Sequence, residues 1–279
     1  MIEIIIKQIK SAVKMNKNKQ QSPSTKKTNR PNEVPVEILE QLNSGIRESA
    51  NLAEMLAIDF ATLISYVIPE ISNDANKYFK SSDGITKRML IAGELLSKNL
   101  GATNLDSIAK HPADTVRSWA AYAIASIPDI TLSERLNLIQ PLADDNHFNV
   151  REWAWLALRP HITVNIQNAI ELMAPWVEES SPNIRRFAIE STRPRGVWCP
   201  HIQELKKNPQ IGLPLLEPVK ADTSRYVQDS VGNWLNDAAK QQPDWVLSIC
   251  KRWQVESNTK QTTRICSRAL RNLKKYKAT

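Results

Sequence analysis

One helix is written several times over in this chain, and the interval between its copies restricts the fold more than any other feature. The segments DTVRSWAAYAI from Asp114, NVREWAWLAL from Asn149, NIRRFAIEST from Asn183 and RYVQDSVGNWL from Arg225 align on Val116, Val150, Ile184 and Val227. The first two intervals are both 34 residues. In the first three copies the branched residue precedes an arginine, and an aromatic and an alanine follow: Trp119 and Ala120, Trp153 and Ala154, Phe187 and Ala188. Each copy carries a start signal, since Asp114, Asn149 and Ser181 stand where a side-chain oxygen caps free backbone N–H groups, and Pro182 suits a first turn.

Companion helices are expected near 131–142 and 164–179, which makes the unit a two-helix hairpin of about 34 residues. Such a hairpin cannot bury its apolar face alone and must stack on its neighbours. The expected fold is therefore all-α, a HEAT-like repeat α-solenoid, a curved superhelix of helical hairpins. Val-Arg at the head of the second helix is the HEAT-like pattern, and the Trp-Leu-Gly and Ala-Phe-Pro positions of tetratricopeptide arrays are absent. From Val36 onward apolar residues recur at three- and four-residue spacing, with no alternating strand pattern beyond four or five residues. The fourth copy arrives 43 residues after the third, so about nine extra residues have entered as RPRGVWCPHIQELKKNPQ, 193–210. Insertions of this kind map to loops on one face of a solenoid, often the binding face.

The first 35 residues read as a separate, disordered basic leader, and 36–279 as the repeat domain. The stretch from Lys14 to Pro35 is polar and lysine-rich, with almost nothing to bury. The opening MIEIIIKQIKSAVK is interrupted by lysines and lacks a small-residue cleavage site, so it reads neither as a signal peptide nor as a membrane span. The net charge of +8 sits at the ends: 1–33 carry eight Lys/Arg against two acids, and 251–279 nine against one, leaving 34–250 at −6. Seven glycines, none clustered, exclude a phosphate-cradling loop. Three scattered cysteines fit a reducing compartment, hence a cytoplasmic protein, and no structural zinc site. The four histidines have no ligand spacing, so no metal and no cofactor are expected.

Sorted by face, the fourth helix presents Asp229, Asn233, Asn236, Asp237 and Lys240 opposite its apolar stripe. The same register picks out Arg186, Glu190 and Arg193, then Glu152 and Arg159, then Ser118 and Tyr122, with Arg151 and Trp155 extending the band. Arg186 with Glu190, and Glu190 with Arg193, also read as ordinary helical ion pairs. Trp119, Trp153, Phe187 and Trp234 belong to the packing stripe. Trp198 lies outside the periodicity, between prolines, and reads equally as a placed surface ring or a loop anchor.

Spacing alone stops at a HEAT-like binding module. The runs REWAWLALRPHI, IRRFAIESTRPRGVW and LLEPVKADTSRYVQDSVGNWLND resemble the AlkC/AlkD-like DNA alkylation repair family, nearest its AlkC-type branch, over roughly Ser44 to Arg271. That resemblance implies a monofunctional DNA glycosylase that hydrolyses the N-glycosidic bond of cationic purines such as 3-methyladenine and 7-methylguanine. The protein would act as a monomer on double-stranded DNA. By resemblance Asp237 matches the catalytic carboxylate, Trp198 the aromatic after Arg-Pro-Arg, and Arg186 the double-arginine motif. The family's second acid has no clean match: Trp155 occupies the nearest register before Arg159 and Pro160, and Glu152 is the closest carboxylate. Arg151, Trp155, Arg159, Arg185, Arg186, Arg193 and Arg195 are the expected DNA-binding set, the arginines taking phosphates. The alternative is a non-catalytic HEAT protein that binds DNA structures or a protein partner.

Overall fold

The computed structural model describes residues 30–80 and 82–273. Among them the chain forms fifteen α-helices, short 3-10 turns and no strand. They fall into two compact units divided between Ala123 and Ile124. Most of the basic leader lies outside the described residues. Packed structure starts slightly before Val36, because Pro31–Glu33 forms a 3-10 turn and Val34 is buried. No helix among the described residues is long and apolar enough to cross a membrane.

The first unit contains α1 (Val36–Asn43), α2 (Leu52–Ala57), α3 (Phe60–Val67), α4 (Ser72–Tyr78), α5 (Ile85–Ala109) and most of α6 (Asp114–Ser126). Its core is built from Phe60, Leu63, Ile64, Met89 and Trp119, with Phe60 edge-on to Trp119 at 5.2 Å. Gly93 lets α5 approach α6 closely, since a Cβ there would stand 2.3 Å from that of Tyr122. Asp114, the first residue of α6, accepts from the backbone N–H and hydroxyl of Ser49 at 2.9 and 2.6 Å.

His111, at the turn into α6, is buried and accepts the Ala113 N–H through Nδ1. Burial, helped by the charge of Arg117, pushes its imidazole down to about 4. The ring is neutral in the fold, while the unfolded chain takes up a proton as pH falls below about 6.5. The unfolded state then binds more protons, so the contribution of His111 to stability is constant above pH 6.5 and declines between 6.5 and 4, by about 3 kcal/mol in total. Urea midpoints measured across that window are expected to drop accordingly, and His111→Gln, which does not titrate, is expected to flatten the slope.

The second unit repeats the hairpin. It comprises α7 (Leu132–Ala143), α8 (Phe148–Val164), α9 (Ile166–Met173), α10 (Pro182–Ser191), α11 (Gln203–Lys207), α12 (Leu213–Leu216), α13 (Arg225–Ala239), α14 (Pro243–Ser257) and α15 (Lys260–Ala269). The repeat helices α8, α10, α13 and α15 pack side by side in one layer, and α7, α9, α12 and α14 lie behind them. α7 begins with a complete capping box, Thr131 with Glu134. Ser181 caps α10 as expected by accepting from the Asn183 N–H, whereas α8 is capped by His147 and not by Asn149, which lies inside the helix. The insert is only partly a loop: 203–216 form α11, a 3-10 turn and α12, a broken companion helix for α13.

α15 is a fifth repeat helix, absent from the sequence alignment. Thirty-five residues beyond Val227 stands Thr262, a buried residue whose hydroxyl donates to the Lys220 carbonyl at 2.9 Å. A satisfied threonine takes the place of the branched apolar residue, and the Val-Arg signature is lost with it.

Candidate active site and nucleic-acid interface

The arginines of the Val-Arg motif share one structural task. Arg117 donates through Nη1 to the carbonyls of His111 and Pro112, Arg151 to those of Asp145 and Asn146, and Arg185 to those of Glu179 and Ser180. In every copy these are the residues six and five positions earlier. Gln228 does the same in the fourth copy, donating to Asp222 and Thr223. The motif therefore ties each repeat helix to the turn before it, satisfying carbonyls left over from the preceding segment. Arg185 is further held by Asp222 at 2.6 Å, and Arg151 lies over the Tyr226 ring. Arg185 thus has its nitrogens engaged by two carbonyls and Asp222, and Arg151 gives Nη1 to carbonyls and Nε to the Tyr226 hydroxyl at 3.3 Å, so both arginines, expected to take phosphates, carry a structural task as well.

The expectation for Arg159 is corrected. It is 1% exposed, and its guanidinium donates to the carbonyls of Ser191 at 2.8 Å, Arg193 at 2.6 Å and Pro200 at 3.3 Å. Burial lowers its pKa. It is a strut under the 193–200 loop. Trp155, expected in the DNA-binding set, is buried, and its indole N–H donates to Glu152 at 2.8 Å. A ring in that position cannot meet DNA, but it does aim Glu152.

Six of the remaining band residues meet in one continuous ion-pair chain along α8, α10 and α13. Glu152 Oε1 is 2.5 Å from Arg186 Nη2, which is 3.8 Å from Glu190. Glu190 pairs with Arg193 at 2.6 Å and accepts from the Ser230 hydroxyl at 2.6 Å. Arg193 reaches across to Asp237 Oδ2 through Nη2 at 2.8 Å and Nε at 3.0 Å, and Lys240 stands 3.3 Å from Asp237 Oδ1. The Tyr226 ring closes over Arg186, whose guanidinium carbon is 4.2 Å from the ring centroid. Sequence reasoning placed Glu190 on this face by register, with an ordinary helical ion pair as the second reading, and missed Tyr226 and Ser230 as its partners. No local pattern marks those two, because the 43-residue interval brings them to α10 out of the 34-residue register.

Both acids at the centre are buried, Glu190 and Asp237 each 4% exposed. Burial, the largest single influence on Glu190, opposes its ionisation. The charges of Arg186 and Arg193 and the hydrogen bonds from Ser230 and Arg193 outweigh it, holding the carboxyl below its ordinary range. Arg193 is raised in turn: burial opposes its charge, but Glu190 and Asp237 more than restore it. Such a chain is rigid because removing one member leaves an uncompensated buried charge on the next.

Trp198 proves to be both surface ring and anchor. One face of it stacks on buried Trp153, with centroids 5.9 Å apart and planes at 16°, while the residue remains 49% exposed. Its φ of +62° is a left-handed conformation that a tryptophan adopts only when its surroundings impose it. Pro194 and Pro200 frame the turn, the Ile202 N–H closes it on the Pro194 carbonyl, and the Arg159 strut lies beneath. Arg195, in the same turn, forms no ion pair among the described residues and has a buried Nε without a partner. It is the one member of the expected DNA-binding set left uncommitted.

No protein-family model matches the chain. Over 64 residues it is 41% identical to the uncharacterized protein YhaZ of Bacillus subtilis, a stretch amounting to 23% of this chain and 18% of that protein. Among solved structures it is similar to the alkylpurine DNA glycosylase AlkC of Pseudomonas fluorescens bound to DNA containing an abasic site analog. There the TM-score is 0.63 with 24% identity over 88% of this chain, which spans 65% of the AlkC chain. It is also similar to AlkD2 of Streptococcus mutans, with a TM-score of 0.56 and 22% identity over 72% of this chain and 97% of that one. A third similar structure is smu.31 of Streptococcus mutans, with a TM-score of 0.52 and 24% identity over 74% and 92% of the two chains.

Proposed function

We propose that this chain, which has the helical-repeat fold of AlkC and AlkD2, is a DNA alkylation repair enzyme: a monofunctional glycosylase that releases cationic alkylated purines from duplex DNA. The observation that carries the reading is the Glu190, Arg193, Asp237 chain, in which a buried carboxylate is held at a fixed position near the Trp-bearing insert. Oδ2 of Asp237 is anchored twice by Arg193, whereas Oδ1 has Lys240 alone, a side chain 43% exposed. Lys240 swings off to a phosphate as DNA arrives, and Oδ1 turns to the deoxyribose.

Loss of a positively charged base leaves oxocarbenium character at the sugar. A preorganised carboxylate stabilises that charge and orients the attacking water. Glu190 acts through Arg193, as a positioning residue for Asp237. The free face of Trp198 attracts the same cation, an effect of ~0.5 to 2 kcal/mol depending on desolvation. Because 3-methyladenine and 7-methylguanine leave as neutral bases, the leaving group needs no acid and the reaction no cofactor. The proposed enzyme is a monomer of the cytoplasm, where its three free thiols are chemically at home.

The test is direct. Incubated with methylated duplex DNA, the protein is expected to release 3-methyladenine or 7-methylguanine with first-order kinetics. Binding without release above background would leave a non-catalytic DNA-binding repeat protein instead. Trp198→Ala is expected to slow release about tenfold, in line with a cation–π contribution of that order, while thermal stability stays within about 1 kcal/mol because the ring's outer half is already in water. Release at the wild-type rate would remove Trp198 from the mechanism.

A further inference from the structure

The ion-pair chain through Asp237 is electrically neutral, since Glu152, Glu190 and Asp237 are matched by Arg186, Arg193 and Lys240. Arg159 and Arg185 are engaged by carbonyls and Asp222, and Arg151 in part, so the centre of α8, α10 and α13 carries no net surplus of positive charge. The fifth repeat helix is different. One side of α15 buries Thr262, Ile265, Cys266 and Ala269 against its neighbours. The other side, with the turn that follows, lines an open groove of about 780 Å³ with Lys260, Thr263, Arg264, Ser267, Arg268 and Arg271.

The charges there do not cancel. Asp229 of α13 is shared by Arg264 at 2.6 Å and Arg268 at 3.3 Å, so one acid faces two arginines. Arg271 donates only to neutral acceptors, the Asn233 side chain and the Arg268 carbonyl. Lys260 is exposed and makes no ion pair among the described residues. Four cations against one carboxylate leave three positive charges, flanked by the hydroxyls of Thr263 and Ser267. Lys260, Arg264 and Arg268 recur every four residues, about 6 Å apart along the helix. A linear row of that kind fits a linear polyanion, such as a strand carrying one phosphate per 3.4 Å of duplex axis.

We propose that the outer face of α15 and the following turn form the phosphate-binding track for duplex DNA, separate from the carboxylate that does the chemistry. This rests on the glycosylase reading for its choice of nucleic acid, yet it is tested apart from it. The probe is an unmodified, fluorescently labelled DNA duplex of about 20 base pairs, followed by anisotropy over a series of NaCl concentrations. Each phosphate contact contributes about 0.9 to the slope of log K against log salt. Lys260→Gln is therefore expected to lower the slope by about one, and the triple variant Lys260→Gln, Arg264→Gln, Arg271→Gln by two to three, with affinity reduced roughly tenfold or more at 0.1 M salt.

Arg268 is kept because its stem packs over Gly232, where even a Cβ would meet the Arg268 Cδ at 2.8 Å. Lys260 has no contact to lose, so the single variant reads out the track even where the triple fails to fold. Lys251→Gln, an exposed cation of α14, is the matched control and is expected to leave the slope unchanged. An unaltered slope in Lys260→Gln and the triple, or tighter binding to duplex RNA than to duplex DNA, overturns the proposal. Base release from methylated DNA by the wild type is scored separately. Reduced slopes without release keep the track and discard the enzyme, and release with unaltered slopes does the reverse.

Discussion

Asp237→Asn is expected to lower the single-turnover rate of alkylpurine release by about 10²- to 10³-fold, the range typical for loss of one preorganised electrostatic partner of a transition state. Asparagine keeps the shape of aspartate, so Arg193 retains one acceptor there and its full bond to Glu190 at 2.6 Å. What disappears is the negative charge facing the sugar. Affinity for duplex DNA is expected to stay level or to rise slightly, since a carboxylate has been removed from the neighbourhood of a polyanion. That combination separates a catalytic role from a structural one: a folding defect lowers both quantities, whereas loss of the oxocarbenium partner lowers the rate alone. Release within threefold of wild type would show that Asp237 is only a partner for Arg193.

The repeat was legible because it is written in spacing. Val116, Val150 and Ile184 recur at the interval of a helical hairpin, and the aromatic after each is buried as that pattern demands. The fifth helix was not legible, because a hydroxyl satisfied by Lys220 replaced the branched residue on which the alignment depends. On the candidate site, face-sorting brought Glu152, Arg186, Arg193 and Asp237 together correctly, since a shared register on adjacent repeat helices becomes adjacency in the layer. It did not reveal the structural task of Arg151, Arg159 and Arg185. An arginine on a helix reads as an available cation in sequence, yet these three carry the carbonyls that turns and irregular loops leave unsatisfied, and such demands are created only once the helices are packed. Trp198 was visible for the opposite reason: it broke the periodicity.

Arg159→Met is expected to cost about 3 kcal/mol of stability, because it removes a buried cation's bonds to three separate carbonyls while keeping the stem that fills the space. Ser191 ends α10, and Arg193 and Pro200 lie at the two ends of the loop that carries Trp198, so one guanidinium fastens a helix terminus to both arms of the insert. Gly196 rests directly on it: a Cβ at that residue would stand 3.3 Å from the Arg159 Cζ and 2.1 Å from the Cys199 Sγ. For a unit of this size a loss of 3 kcal/mol corresponds to roughly 6 to 12 °C in melting temperature. Arg159→Lys is expected to recover only part of that, since an ammonium on a flexible stem cannot reproduce a planar fork aimed at three oxygens. Tryptophan fluorescence adds a second readout: with the strut gone, the left-handed turn at Trp198 relaxes, the ring leaves Trp153, and its emission shifts to the red at temperatures where the helices are still folded. A melting temperature and emission unchanged from wild type would mean that the loop is held by its prolines alone.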